Sequence, residues 1–229
     1  LCGAIGDEAA CALAGISHRL RIPAGRSLYG AARQSQSLAL IISGVVKLVI
    51  TKPDGRQQIV GLQFPSDFVG RPFSENPNMS AEAATNLELC SFSGRAFDTL
   101  MREHPSVERA LLKRIAGDLD TAREWAFLLG RTTALERVAA LLRMITERLA
   151  PPSSSGQSPT PRTGMLLPLS RQEMAECLGL RLETVCRQIT RLKARGIIAT
   201  SGRRHFEVLD MPRLRACTDA ANSLIAEPA

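Results

Sequence analysis

The sequence predicts an α+β chain in three parts. An antiparallel β sandwich or barrel comes first, then one long helix, then a winged helix-turn-helix. Three observations predict it. Glycines recur at Gly25, Gly30, Gly44, Gly55, Gly61 and Gly70 among β-rich runs, a spacing suited to tight turns between short strands. Apolar residues then fall in steps of three and four from Leu112 to Leu129, which is a heptad pattern. Finally, LSRQEMAECLGLRLETVCRQITRLKARGII (169–198) holds two short helical patterns around a glycine.

Bulk properties narrow the class. The 229 residues are enough for two domains. Only 4% are aromatic, so the core is expected to be aliphatic. The net charge of +7 is uneven: residues 1–101 hold 9 Lys/Arg against 8 Asp/Glu, and residues 102–229 hold 20 against 14. A basic C-terminal half beside a near-neutral half suits a polyanionic partner. No apolar run reaches membrane-spanning length, so no membrane partner is expected. The chain begins with Leu rather than Met, and residues before it are expected to be missing. Six scattered cysteines without a CxxC pair fit a reducing cytoplasm. The histidines His18, His104 and His205 are dispersed, with no nucleophile–base pair and no phosphate-cradling loop, so the chain does not read as an enzyme.

Taken in order, residues 22–100 read mostly as strands. SLALIISGVVKLVI (37–50) is a β run with a glycine in its middle. KPDGRQQIV (52–60) places a Pro-Asp-Gly turn between strand-like segments, a hairpin signal. The pattern changes near residue 102. Leu112, Ile115, Leu119, Ala122, Ala126 and Leu129 form a seam of about three heptads. Two readings are open: a dimer seam between two copies, which the strict spacing favours, or one amphipathic helix lying on its own β domain. Trp125 flanks the seam. A second helix is expected at about 133–149, and PPSSSGQSPTPRTG (151–164) as a flexible loop. The domains are expected at 1–101, 102–131 and 132–229.

The helix-turn-helix is the most specific signal. Ser170 can cap a helix, with Glu173 three residues on to close a capping box. Met174, Ala175 and Leu178 are expected to face inward. Gly179 falls at the turn, Leu180 between the helices, and Val185, Ile189 and Leu192 on the second inner face. IIATSGRRHFEVLD (197–210) then reads as a basic hairpin wing. Glu183 and Arg187 lie four apart and so share one helix face. Arg can bond guanine O6 and N7 together, and a carboxylate can accept from cytosine N4. These two are the candidate base readers, with Glu183 also placed to orient Arg187. Arg181, Thr184, Arg191, Lys193, Arg203 and Arg204 are candidate phosphate contacts, which set affinity rather than sequence.

On these residues the chain resembles the Crp–Fnr superfamily of bacterial transcription regulators. RLETVCRQITRLKARGII is similar to its recognition helix, and the SGVVKL, PDGR and FPSDFVG segments to its β-roll. The resemblance covers nearly the whole chain. It implies a β-roll sensor domain like the cyclic-nucleotide-binding fold, a dimerisation helix and a winged helix-turn-helix. It further implies a homodimer on double-stranded DNA, an activator that contacts RNA polymerase through exposed loops. An effector-binding module acting only through protein partners is the alternative.

The match is nearer the Fnr and FixK branches, whose recognition helices read E-x-x-S-R. Glu183 and Arg187 would then read a TTGA-type half-site in an inverted repeat, at genes for low-oxygen or nitrogen-fixing metabolism. Cys186 stands in the Ser position among the base readers. Its sulfur is a weaker hydrogen-bond partner, and it is either an oxidation-sensitive contact or a tolerated substitution. In FVGRPFSENPNMSAEAAT (68–85), Arg71 replaces the ribose-binding Glu of the cyclic-AMP branch, and Met79-Ser80 stands near its Arg-Ser. That argues against cyclic AMP. Cys90 resembles the central ligand of the Fnr-branch 4Fe–4S cluster, and Cys2 the last of its N-terminal ligands. Cys11 fits that pattern poorly. Such a cluster takes about four thiolates, so the resemblance implies one only in a longer chain. The rival is a FixK-like regulator without a bound effector.

Overall fold

In the computed structural model, which describes residues 7–29, 38–70, 79–150, 165–202 and 204–219, the apolar run 37–50 breaks at its glycine. It yields β3 (Leu38–Ser43) and β4 (Val46–Thr51), and these strands join different sheets. Gly44 has φ +91°, and a Cβ there would run into the Asn86 carbonyl oxygen and, at 2.7 Å, into Leu87 Cδ2. Only glycine meets both demands.

The chain divides between Glu124 and Trp125 into two compact units. In the first, α1 (Asp7–Gly15) leads into β1 (Ser17–Ile22) and β2 (Ser27–Tyr29). After β3 and β4 come β5 (Gln57–Gln63), β6 (Phe68–Val69), β7 (Met79–Ala83) and β8 (Leu87–Phe92). They form two antiparallel four-stranded sheets, ordered β1-β8-β3-β6 and β2-β7-β4-β5. Period-two alternation splits β8 between two cores. Leu87 and Leu89 pack with Ile41, Val46, Ala81 and Ala83 between the sheets. Phe92 and the half-buried Cys90 join Ala9 and Leu13 of α1 on the outer face. The Pro-Asp-Gly hairpin forms as read: Gly55 N–H donates to the Lys52 carbonyl at 2.9 Å, and Thr51 pairs with Gln57.

One expectation is overturned here. The strand region does not run to residue 100, because α2 (Gly94–Glu103) intervenes. Ser93 caps it, accepting from the Ala96 N–H at 3.3 Å. Phe97 and Leu100, three apart, are both buried, and Phe97 meets the Phe68 ring edge-on at 6.2 Å. A three-residue apolar spacing hidden in ten residues is easily read as strand. The long helix α3 (Pro105–Arg131) then starts afresh, with Pro105 at the first helical position, where its missing N–H costs nothing.

Two stripes run along α3. Val107, fully buried, and the partly buried Ala110 and Leu111 pack on the outer core. One turn on, Arg114 Nη2 reaches Asp67 Oδ1 at 2.7 Å and Asp118 at 2.9 Å. Asp67 ends a tight turn in which Ser66 has φ +76°. Its Oδ2 accepts the Phe64 N–H at 2.9 Å. The second stripe, the heptad seam, is turned roughly 90° from the first at 100° per residue. It stays uncovered: Leu112, Ile115 and Leu119 are 60%, 55% and 50% exposed. Ala122 and Ala126 are also exposed, while Leu129 and Trp125 are half-buried.

In the second unit, α4 (Ala134–Leu149) begins with a capping box between Thr133 and Glu136. Its Val138, Leu141, Leu142 and Ile145 are at most 1% exposed. Each contributes about 1.5–3 kcal/mol through burial, which makes α4 the core helix. The helix-turn-helix follows as α5 (Arg171–Leu178) and α6 (Leu182–Ala194). A three-stranded sheet, ordered β10-β11-β9, combines β10 (Ile198–Ser201), β11 (His205–Val208) and β9 (Met165–Leu166). The hairpin β10–β11 is the wing that the sequence announced. β9 and the closing helix α7 (Met211–Asp219) were not anticipated. Arg215 of α7 pairs with Glu147 of α4 at 3.0 Å. The loop expected at 151–164 lies outside the described residues.

Candidate nucleic-acid interface

Each predicted device of the helix-turn-helix is in place. Ser170 Oγ accepts the Glu173 N–H at 3.2 Å, and Glu173 Oε2 accepts the Ser170 N–H at 2.7 Å. Gly179 ends α5 in the left-handed region at φ +60°. Open space surrounds the position of its absent Cβ, so the requirement is conformational. Met174, Ala175 and Leu178 are buried, as are Val185, Ile189 and Leu192. Leu180 is half-buried. A second left-handed glycine, Gly196, ends α6, and the Ile197 N–H returns to the Leu192 carbonyl at 3.1 Å.

With its inner face fixed, α6 must present the opposite one. Glu183, Cys186, Arg187, Arg191 and Lys193 are all exposed, and Thr184 is half-buried at the border. Taking Glu183 as the reference at 100° per residue, Arg187 and Cys186 stand within about 60° of it. Arg191 and Lys193 lie roughly 80° to either side. Candidate base readers thus occupy the centre of one face, and candidate phosphate contacts its two flanks. Among the described residues no ion pair joins Glu183 to Arg187, so each presents its own charge outward. Thr190 also lies on this face, a residue the sequence reading passed over. Its hydroxyl donates to the Cys186 carbonyl at 3.0 Å.

Arg181 precedes α6 and supplies no side-chain cap. An uncapped helix N-terminus directs its first N–H groups outward, where an anion is favoured. At the wing, Arg204 is exposed and its guanidinium lies 4.0 Å from Glu173 of α5. Arg203 lies outside the described residues. The thiols of the helix-turn-helix differ sharply. Cys177 is buried, and burial pushes its thiol up to about 12. Cys186 is exposed. Burial holds the Arg171 guanidinium below its usual range, and Cys186 acts on it in the opposite direction.

Of the two tentative cluster ligands, Cys90 is the one that falls among the described residues. Cys90 sits in β8, opposite Arg19 of β1 and Leu40 of β3. Cys11 is exposed on α1, and Cys2 and Arg71 lie outside the described residues. Among the described residues no group of three or more His, Cys, Asp and Glu could hold a metal ion. These residues do not by themselves fit a four-thiolate cluster. Among them, also, no helix is long and apolar enough to cross a membrane.

Two family models match the chain. A cyclic nucleotide-binding domain covers residues 19–104, and a Crp-like helix-turn-helix domain covers residues 136–217. The chain is 43% identical to a probable transcriptional activator of Rhizobium leguminosarum bv. viciae, over 96% of this chain and 89% of that one. It is 40% identical to the transcriptional activator protein FnrL of Cereibacter sphaeroides, over 93% of this chain and 86% of that one. Among solved structures, FixK2 from Bradyrhizobium japonicum superposes with a TM-score of 0.76 at 28% identity, covering 88% of this chain and 97% of that one.

Proposed function

The chain belongs to the Crp–Fnr family as an Fnr/FixK-type transcription activator with a helix-turn-helix DNA-binding domain, and from that premise we propose that it acts as a homodimer reading a TTGA-type inverted repeat. Its relatives are regulators of transcription, not enzymes. The observation that carries the proposal is the face of α6, where Glu183, Cys186 and Arg187 stand exposed between Arg191 and Lys193. Arg187 bonds a guanine edge and Glu183 accepts from a cytosine amine. Arg181, Thr184, Arg191, Lys193, Arg203 and Arg204 contact phosphate and hold the register.

The dimer rests on the seam of α3. Three large apolar side chains at heptad positions are half exposed or more in one copy, and a second copy of the helix covers them. Two α6 helices then enter successive major grooves about one helical turn apart. RNA polymerase is the further partner, and low-oxygen or nitrogen-fixing metabolism the regulated one, on the resemblance to the Fnr and FixK branches. Cyclic AMP is not the effector in this reading. A 4Fe–4S cluster would require thiolates beyond Cys90 among the described residues, and no step is assigned to it.

Titration of a duplex carrying TTGA, six base pairs and TCAA, against a scrambled duplex at the same salt, tests the reading. Fixed salt matters because phosphate contacts alone give salt-dependent binding. Preference for the repeat, with two chains bound per duplex, is expected. Equal affinity for both duplexes, or one chain per duplex, contradicts it.

A further inference from the structure

A continuous chain of hydrogen bonds runs through the second unit from the end of α3 to the turn before α6. The Thr132 hydroxyl donates to the Leu128 carbonyl of α3 at 2.6 Å. The Thr132 carbonyl accepts from Arg137 Nε at 3.2 Å. Nη1 of the same guanidinium donates to the Leu178 carbonyl, also at 3.2 Å. Leu178 is the last residue of α5, directly before the left-handed Gly179. One side chain on the first turn of α4 therefore grips the main chain at two places: where it leaves α3, and where it turns toward the reading helix.

The chemistry requires arginine. Both acceptors are carbonyls at or just beyond a helix C-terminus, where backbone groups lack intrahelical partners and a cation is favoured. They are met by two donors of a single planar fork whose geometry is built in. A lysine ammonium on a flexible stem fixes no angle between two acceptors. Because both partners are main-chain atoms, the link reports backbone position, not side-chain identity.

We propose that Arg137 is a positioning residue for DNA reading: it fixes the orientation of α6 relative to the end of α3, and so sets the half-site spacing the dimer accepts. The inference rests on the dimeric reading above. Arg137 touches no base or phosphate in this account. Its loss should alter spacing preference while the reading of each half-site by Glu183 and Arg187 persists.

The test uses the full chain as wild type, Arg137→Gln and Arg137→Lys. Thr133→Ala, which removes the capping box at the same end of α4, serves as a destabilised control. Each is titrated with inverted repeats spaced by five, six and seven base pairs, and with a six-spaced repeat carrying one changed half-site base. Wild type is expected to prefer one spacing. In both Arg137 variants that preference should fall roughly tenfold, the scale of one charge-assisted hydrogen bond, while the penalty for the changed base is kept. Thr133→Ala should keep the wild-type spacing profile. If Arg137→Gln does not fold, Arg137→Lys carries the comparison.

An unchanged profile in the Arg137 variants overturns the proposal. So does flattening in Thr133→Ala of the same size, which would assign the effect to lost stability. A wild type that fails to prefer any repeat over a scrambled duplex removes the dimeric reading and this inference with it, a pattern distinct from failure in the variants alone.

Discussion

The buried Asp67 carboxylate and the Arg114 guanidinium meet at 2.7 Å, joining the turn after β5 to α3. The same carboxylate accepts the Phe64 N–H and so also holds its own turn closed. Removing one partner of a buried pair strands the other charge, at a cost of about 3–5 kcal/mol when both are fully buried. Arg114 keeps 29% of its side-chain surface in water, so the lower end applies. Asp67→Ala should lose about 3 kcal/mol in urea unfolding. Asp54→Ala, at the exposed hairpin pair with Arg56, should leave the midpoint unchanged.

Gly179 and Gly44 predict different penalties for the same substitution. Both have positive φ, but only Gly44 would bring a new Cβ into backbone and side-chain atoms. Gly179→Ala should cost about 1–2 kcal/mol, the left-handed backbone term alone. Gly44→Ala should cost clearly more, because the β3–β4 corner must also move. Thermal unfolding of the two variants side by side decides it.

Cys177 and Cys186 should separate by reactivity and by pH. The folded Cys177 thiol stays protonated up to about 12, while an unfolded thiol ionises near the ordinary value. Between those values the unfolded chain holds fewer protons than the native one, so stability falls as pH rises. Below that window the contribution is fully present. Alkylation at neutral pH should mark Cys186 and Cys11 and spare Cys177 until the chain unfolds. Cys177→Ala should lose the part of the alkaline slope that belongs to this thiol. Rapid labelling of Cys177 in the folded chain would contradict its burial.

The seam predicts a change of assembly from a single charge. Leu119 is 50% exposed at the middle of the heptad run. Leu119→Glu should disturb one chain little, since the site faces water there. Across a two-fold axis it sets carboxylates against each other in an apolar seam. Sedimentation should show monomers at concentrations where wild type is dimeric, with an unchanged far-ultraviolet spectrum.

Much of this was legible in the sequence because it rests on local rules. The Ser170–Glu173 box, Gly179, the inner face of α6 and the Pro-Asp-Gly hairpin are each fixed within a few residues. The heptad steps of α3 needed only counting. What stayed hidden depends on long-range partners. Phe97 and Leu100 of α2 look like strand residues until the outer sheet face is there to bury them. Arg114 and Arg137 carry no signal in the sequence, since their acceptors, Asp67 and Leu178, lie far away along the chain. β9 is two residues long and exists through its pairing with His205 and Phe206. Thr190 stayed hidden because a threonine between Ile189 and Arg191 carries no signal of its own.

The most direct test of the central claim is a base-swap cycle at Glu183. Wild type and Glu183→Ala are each titrated, at one salt concentration, with the inverted repeat and with a repeat altered at the cytosine that Glu183 is assigned. Wild type should lose about 1–3 kcal/mol on the altered duplex, and Glu183→Ala should bind both duplexes alike. A Glu183→Ala protein that still discriminates as wild type does would contradict the assignment of α6 as the reader.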